Sequence, residues 1–139
     1  MSKVLYTTSV TTTGGRDGVA KSEDGRLEVK LSMPKELGGA GAVGATNPEQ
    51  LFAAGYSACF ESAIRHVARN KKVTVNTAHV TASVSLLPAP TGFALAVALK
   101  VSLPELSHDV AQSLVDEAHR ICPYSNATRG NIPVEISLA

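Results

Sequence analysis

The sequence predicts an α+β fold in one domain spanning residues 1–139, with the order βββ-α-ββ-α-β. Three observations predict it. Alternating, β-prone stretches open the chain and are cut by Gly/Asp turn signals. A strong helix-start signal at Asn47 leads into a long apolar run. Two further alternating runs flank a Pro/Gly turn and precede a second capped helix. Strands grouped with strands and joined to helices in this order read as α+β.

The elements follow in order. Residues 3–13 alternate roughly and are rich in Val and Thr; the GGRDG segment at 14–18 has the chemistry of a hairpin turn. A short second strand is expected at 19–23. Asp24-Gly25 marks another turn, and residues 26–33 alternate as a third strand, giving an antiparallel meander. Residues 34–45 form a Gly/Ala-rich loop. Asn47 suits an N-cap, Pro48 the first helical position and Glu49 the first turn, with Gln50 placed as in a capping box. This helix is expected to run to about Asn70. From Leu51 to Phe60 it carries no charge and is apolar nearly all round, which predicts burial on every side. Its second half turns amphipathic, with Glu61, Arg65 and Arg69 outward. Residues 77–87 and 92–103 read as a hairpin around PAPTG. Ser107 caps a helix to about Arg120, residues 121–131 read as a polar loop, and IPVEISL closes as an edge strand.

Composition narrows the function classes. With 139 residues and 44% hydrophobic content, the chain buries a real core. The net charge is +1 with no like-charge run, and Trp is absent, so neither a nucleic-acid partner nor an anionic membrane surface is expected. The N-terminus lacks the apolar core of a signal peptide, and no stretch approaches the roughly 20 apolar residues that span a bilayer. A cytoplasmic, reducing location is expected. There, two cysteines are more often free, catalytic or metal-bound than a structural staple.

Cys59 and Cys122 each admit a plain reading, as a small core hydrophobe and a loop thiol. Their separation of 63 residues excludes a CxxC motif, but as a pair they fit an attacking and a resolving cysteine. Metal binding competes for them. Of His66, His79, His108 and His119, only His119 stands three residues from a cysteine and no second pair faces it, so no metal is expected. Arg16 reads as a solvated turn arginine, or as a guanidinium folded over a pocket. Glu49 reads as a first-turn carboxylate favoured by the helix dipole. Leu51, Phe52, Phe60 and Ile121 read as core, or in part as the lining of an alkyl pocket.

Three long segments decide between these alternatives. TGGRDG at 13–18, ATNPEQLFAAGYSACF at 45–60 and CPYSNATRGN at 122–131, with KLSMPKELGG between, resemble the signature segments of organic hydroperoxide resistance proteins, the Ohr branch of the OsmC/Ohr family. The resemblance covers nearly the whole chain, and no expected functional position departs from it. It implies antiparallel sheets around a central helix in an intertwined homodimer. It also implies a peroxidase that reduces alkyl or lipid hydroperoxides, with Cys59 peroxidatic, Cys122 resolving, and Arg16 held by Glu49 to stabilise the thiolate. No bound cofactor is implied. The reductant would be a dithiol such as dihydrolipoamide on a lipoylated protein. The GGRDG turn near the N-terminus favours the Ohr branch over an OsmC-type peroxidase of broader peroxide use. A non-enzymatic redox sensor would need an effector surface, and none is visible.

The physical demand is clear. The thiolate is the nucleophile, and a cysteine in an apolar helix has its pKa raised unless a cation opposes burial. Glu49 and Cys59 stand ten residues apart, roughly 15 Å along a straight helix. Either the helix breaks near Gly55, or Glu49 serves the site of a partner subunit; the family's intertwined dimers favour the second.

Overall fold

The computed structural model describes residues 2–139. They fall into two compact units, one up to Leu51 and the other Phe52–Ala139.

The first unit holds a three-stranded antiparallel sheet of β1 (Val10–Thr13), β2 (Val19–Ser22) and β3 (Glu28–Lys30), with β2 central. Thr13 pairs with Val19, and the five residues between them make the GGRDG turn, wound as one 3-10 turn over Gly15–Asp17. Gly14 adopts a left-handed φ of 83°, and a Cβ at Gly18 would lie 1.6 Å from the Thr13 carbonyl oxygen. Only glycine fits either position. The first strand is shorter than expected, beginning at Val10. A strand needs a hydrogen-bonding neighbour, and β2, at four residues, pairs with Val10–Thr13 and no further.

The helix α1 (Pro48–Asn70) starts at the end of this unit and runs unbroken through Gly55. Asn47 Oδ1 accepts from the Gln50 N–H at 2.9 Å, as an N-cap should. The Gln50 side chain is engaged by the Thr46 hydroxyl at 2.6 Å rather than closing a capping box.

In the second unit β4 (His79–Ala89) and β5 (Gly92–Ser102) form a long antiparallel hairpin closed by Pro90 and Thr91. Helices α2 (His108–Ile121) and α3 (Pro123–Thr128) follow, and β6 (Val134–Leu138) ends the chain. Ser107 caps α2 as expected, accepting from the Val110 N–H. The core packs Phe60, Ile64 and Val67 of α1 against Leu99 and Val101 of β5 and Leu114 and Val115 of α2.

Three further details differ from expectation. The segment after Cys122 is a short helix, not a loop: Pro123 at its first position presets helical φ, but six residues are too few to display an apolar period. β6 runs parallel to β5, so this sheet is mixed, as a helical crossover between neighbouring strands requires. And the first half of α1 is buried on one face only: Tyr56 and Phe60 are fully enclosed, whereas Ala54 and Ala58 face solvent. Among the described residues no helix is long and apolar enough to cross a membrane.

Candidate active site

Each unit carries one constellation. In the first, Arg16 leaves the middle of the GGRDG turn and meets Glu49 in the first turn of α1. Nη1 donates to Oε1 at 2.7 Å and Nη2 to Oε2 at 2.9 Å, a two-pronged fork that fixes the plane of the guanidinium. The neighbouring Asp17 braces the turn by accepting from the Met33 N–H at 3.0 Å. The hydrogen bonds from Arg16 hold the Glu49 carboxyl below its ordinary pKa, against the opposing effect of burial, and Glu49 in turn raises Arg16.

In the second unit Cys59 sits in the middle of α1 and Cys122 at the corner joining α2 to α3. Both are free thiols, and their Sγ atoms lie 3.5 Å apart. Cys122 is fully buried and Cys59 half-buried. A disulfide has its sulfurs about 2.05 Å apart, so closing the pair takes about 1.5 Å of approach. Burial pushes the Cys59 thiol above its ordinary pKa; the backbone N–H of Tyr124 opposes this, and Cys122 adds to it. As this unit stands, Cys59 therefore favours its protonated, unreactive form.

A cavity of about 630 Å³ opens beside the corner. Phe52 of α1, Phe93 and Leu95 of β5, Tyr124 and Ala127 of α3, and Ile132 line it. Phe52 and Tyr124 meet edge to face, with ring centroids 6.2 Å apart. Tyr124 leans so closely on α1 that a Cβ at Gly55 would come within 2.7 Å of its hydroxyl. The cavity offers a mainly apolar lining, and two of its residues, Pro123 and Tyr124, directly follow Cys122. Among the described residues, no group of three or more His, Cys, Asp or Glu is placed to hold a metal ion.

A family model described as OsmC-like protein matches residues 38–137. The chain is 52% identical over 138 residues to the organic hydroperoxide resistance protein of Xanthomonas axonopodis pv. citri, covering 99% of this chain and 96% of that one. The chain belongs to the OsmC family, in its organic hydroperoxide resistance branch. It is also 48% identical to the organic hydroperoxide resistance protein OhrA of Bacillus subtilis, over 100% of this chain and 99% of the other. The crystal structure of an organic hydroperoxide resistance protein from Legionella pneumophila superposes with a TM-score of 0.94 at 53% identity, covering 99% of each chain. The α+β architecture is thus that of the OsmC/Ohr proteins.

Of the site residues expected from this family's signatures, the structure brings Arg16 to Glu49 and Cys59 to Cys122. Among the expected pocket residues, Phe52 lines the cavity, Phe60 is wholly enclosed in the core, and Ile121 is largely outside it with 39% exposure. Leu51 is half-buried and does not line it. Sequence reading missed Tyr124, Phe93 and Ile132. Tyr124, two positions from Cys122, carried a usable signal; Phe93 and Ile132 arrive from the hairpin and the final loop, and nothing local marks them.

Proposed function

We propose that this chain is a cysteine-based peroxidase that reduces organic hydroperoxides to alcohols, drawing its electrons from a dithiol. One observation carries the reading: two free thiols lie 3.5 Å apart, and Pro123 and Tyr124, the residues that follow Cys122, line an apolar cavity. The names of its family relatives point to the same substrates.

The Cys59 thiolate attacks the outer peroxide oxygen. An S–O bond forms, the O–O bond breaks, and the alkoxide takes a proton to leave as the alcohol. The Cys122 thiol then attacks the sulfenic sulfur of Cys59, forming the disulfide and releasing water. A dithiol such as dihydrolipoamide, carried on a lipoylated protein, reduces the disulfide and is itself oxidised to a cyclic disulfide. Phe52, Phe93, Tyr124 and Ile132 receive the alkyl part of the substrate, which favours organic hydroperoxides over hydrogen peroxide.

Burial, with Cys122 adding to it, pushes the Cys59 thiol above its ordinary pKa. The activating cation in this reading is Arg16, oriented by Glu49. Because α1 is unbroken, Glu49 and Cys59 of one chain stand roughly 15 Å apart along the axis. We therefore assign the Arg16–Glu49 fork of one copy to the Cys59 of another, in a homodimer of one-domain chains working in the reducing cytoplasm.

The test is a turnover assay with cumene hydroperoxide, using dihydrolipoamide and then thioredoxin as reductant. Turnover with the first that is abolished by Cys59→Ser is expected. A Cys59→Ser variant working at the normal rate would overturn the reading.

A further inference from the structure

Tyr56, Ser125, Thr128 and His119 form a hydrogen-bonded chain that the mechanism above does not use. The Tyr56 hydroxyl lies 2.8 Å from Ser125 Oγ and 3.3 Å from Thr128 Oγ1. Ser125 Oγ also meets His119 Nδ1 at 2.8 Å, and Thr128 Oγ1 donates to the Ser125 carbonyl at 3.2 Å. Tyr56 and Ser125 are fully enclosed, and no buried side-chain polar atom among the described residues lacks a partner.

The position of this chain is what matters. Tyr56 stands three residues before Cys59 on α1, and Ser125 three residues after Cys122 on α3. Tyr56···Ser125 and Cys59···Cys122 are therefore two rungs between the same two pieces of backbone, each offset by about one helical turn. One rung is made and broken in each catalytic cycle. The other is a buried hydrogen bond, which tolerates little change in length because breaking it strands a polar group.

Hydrogen counting fixes the direction of the chain. Each hydroxyl has one hydrogen. For all four contacts to carry a hydrogen, that of Thr128 goes to the Ser125 carbonyl, Tyr56 donates to Thr128 and Ser125 donates to Tyr56. Ser125 can then only accept from His119, which must carry its proton on Nδ1. The other tautomer leaves the Tyr56–Thr128 contact without a hydrogen. Arg129 anchors the His119 backbone by donating to its carbonyl. Burial, with a contribution from Arg129 and against an opposing one from Asp116, holds the imidazole below its ordinary pKa, so the neutral form and its tautomer are the relevant ones.

We propose that Tyr56, Ser125 and His119 are positioning residues for disulfide closure: their hydrogen-bonded rung holds the Cys122 corner at the one distance from α1 that lets Cys122 reach an oxidised Cys59. The proposal rests on reading the two cysteines as attacking and resolving thiols. Its role is confined to the second chemical step, where sulfenic acid and thiol give disulfide and water. The peroxide step needs no motion of the corner.

The experiment is quenched flow with alkylation and mass spectrometry, after mixing reduced protein with one equivalent of cumene hydroperoxide. Tyr56→Phe removes one oxygen and keeps the ring packing. With Ser125→Ala, it should leave sulfenic acid formation unchanged and slow closure about ten-fold or more, as expected when reacting atoms lose alignment. His119→Asn, whose amide N–H can stand in for Nδ1–H, should close at the wild-type rate; His119→Gln, which offers its amide at the other ring position, should be slow. His119 is only half-buried, so these two variants report even if a core variant does not fold. Wild-type closure in a folded Tyr56→Phe, or equal rates in the two His119 variants, would overturn the proposal. Diamide, whose N=N bond takes up two electrons and two protons as the thiols join, replaces the peroxide in a parallel series. If the wild-type protein consumed no hydroperoxide, the peroxidase reading would fall, while the diamide series would still decide the positioning role.

Discussion

A half-buried thiol next to a fully buried one has a defined vulnerability. In the proposed cycle, removing Cys122 would leave the sulfenic acid on Cys59 without a partner, and a second peroxide would oxidise it further. Cys122→Ser should therefore react once with peroxide, fail to turn over with a dithiol, and accumulate sulfinic or sulfonic acid on Cys59 by mass spectrometry. An unmodified Cys59 after peroxide treatment would remove Cys122 from the cycle. Arg16 and Glu49 make a second prediction. The folded-state Glu49 carboxyl titrates below its ordinary value of about 4.5. Its contribution to stability is thus fully present above that pH and is lost as pH falls through the folded-state value. Because both side chains are partly exposed, the pair is worth about 1 kcal/mol, not more. Denaturant titration at pH 7 and at decreasing acid pH should find Glu49→Gln less stable than wild type at neutrality and the difference closing as the pH drops.

At the scale of elements, α1 binds the most information. Its start depends on Asn47, whose side chain accepts from the Gln50 N–H, so Asn47→Ala should lower stability by about 1 kcal/mol, measured as a shift in the urea midpoint at constant slope. That start was legible in the sequence because capping is local chemistry. The strand order was legible for the same reason, through alternation and turn residues. α3 was not, since six residues give no period, and the direction of β6 was not, since an alternating strand reads the same for parallel and antiparallel pairing. The cysteines were legible as chemistry, but their contact spans 63 positions and leaves no local trace. The Tyr56–Ser125 rung hid for that reason too: a tyrosine in an apolar helix looks like packing until its partner is known.

The chain leaves several large apolar side chains exposed. Val4, Leu5 and Tyr6 are exposed by 71%, 96% and 77%, Phe93 by 77%, and α1 shows Ala54 and Ala58 to solvent. In the homodimer proposed above, the uncharged stretch of α1 with its bare face would lie in the interface. Light scattering at micromolar concentration should find a dimer. If Arg16 serves the other copy's Cys59, mixed dimers of inactive Arg16→Ala and Cys59→Ser chains should regain about half of one site pair's activity by subunit complementation. An active monomer would exclude both statements.

The tyrosines are distributed unevenly. The chain has three and no tryptophan. Tyr6 stands in solvent, while Tyr56 and Tyr124 lie with ring centroids 5.7 Å apart, one hydrogen-bonded to the corner that carries Cys122 and the other part of it. Two of the three native chromophores thus adjoin the sulfur pair. If the corner moves as the proposed disulfide closes, a stopped-flow trace of tyrosine emission should change on oxidation of the unlabelled protein, without a dye.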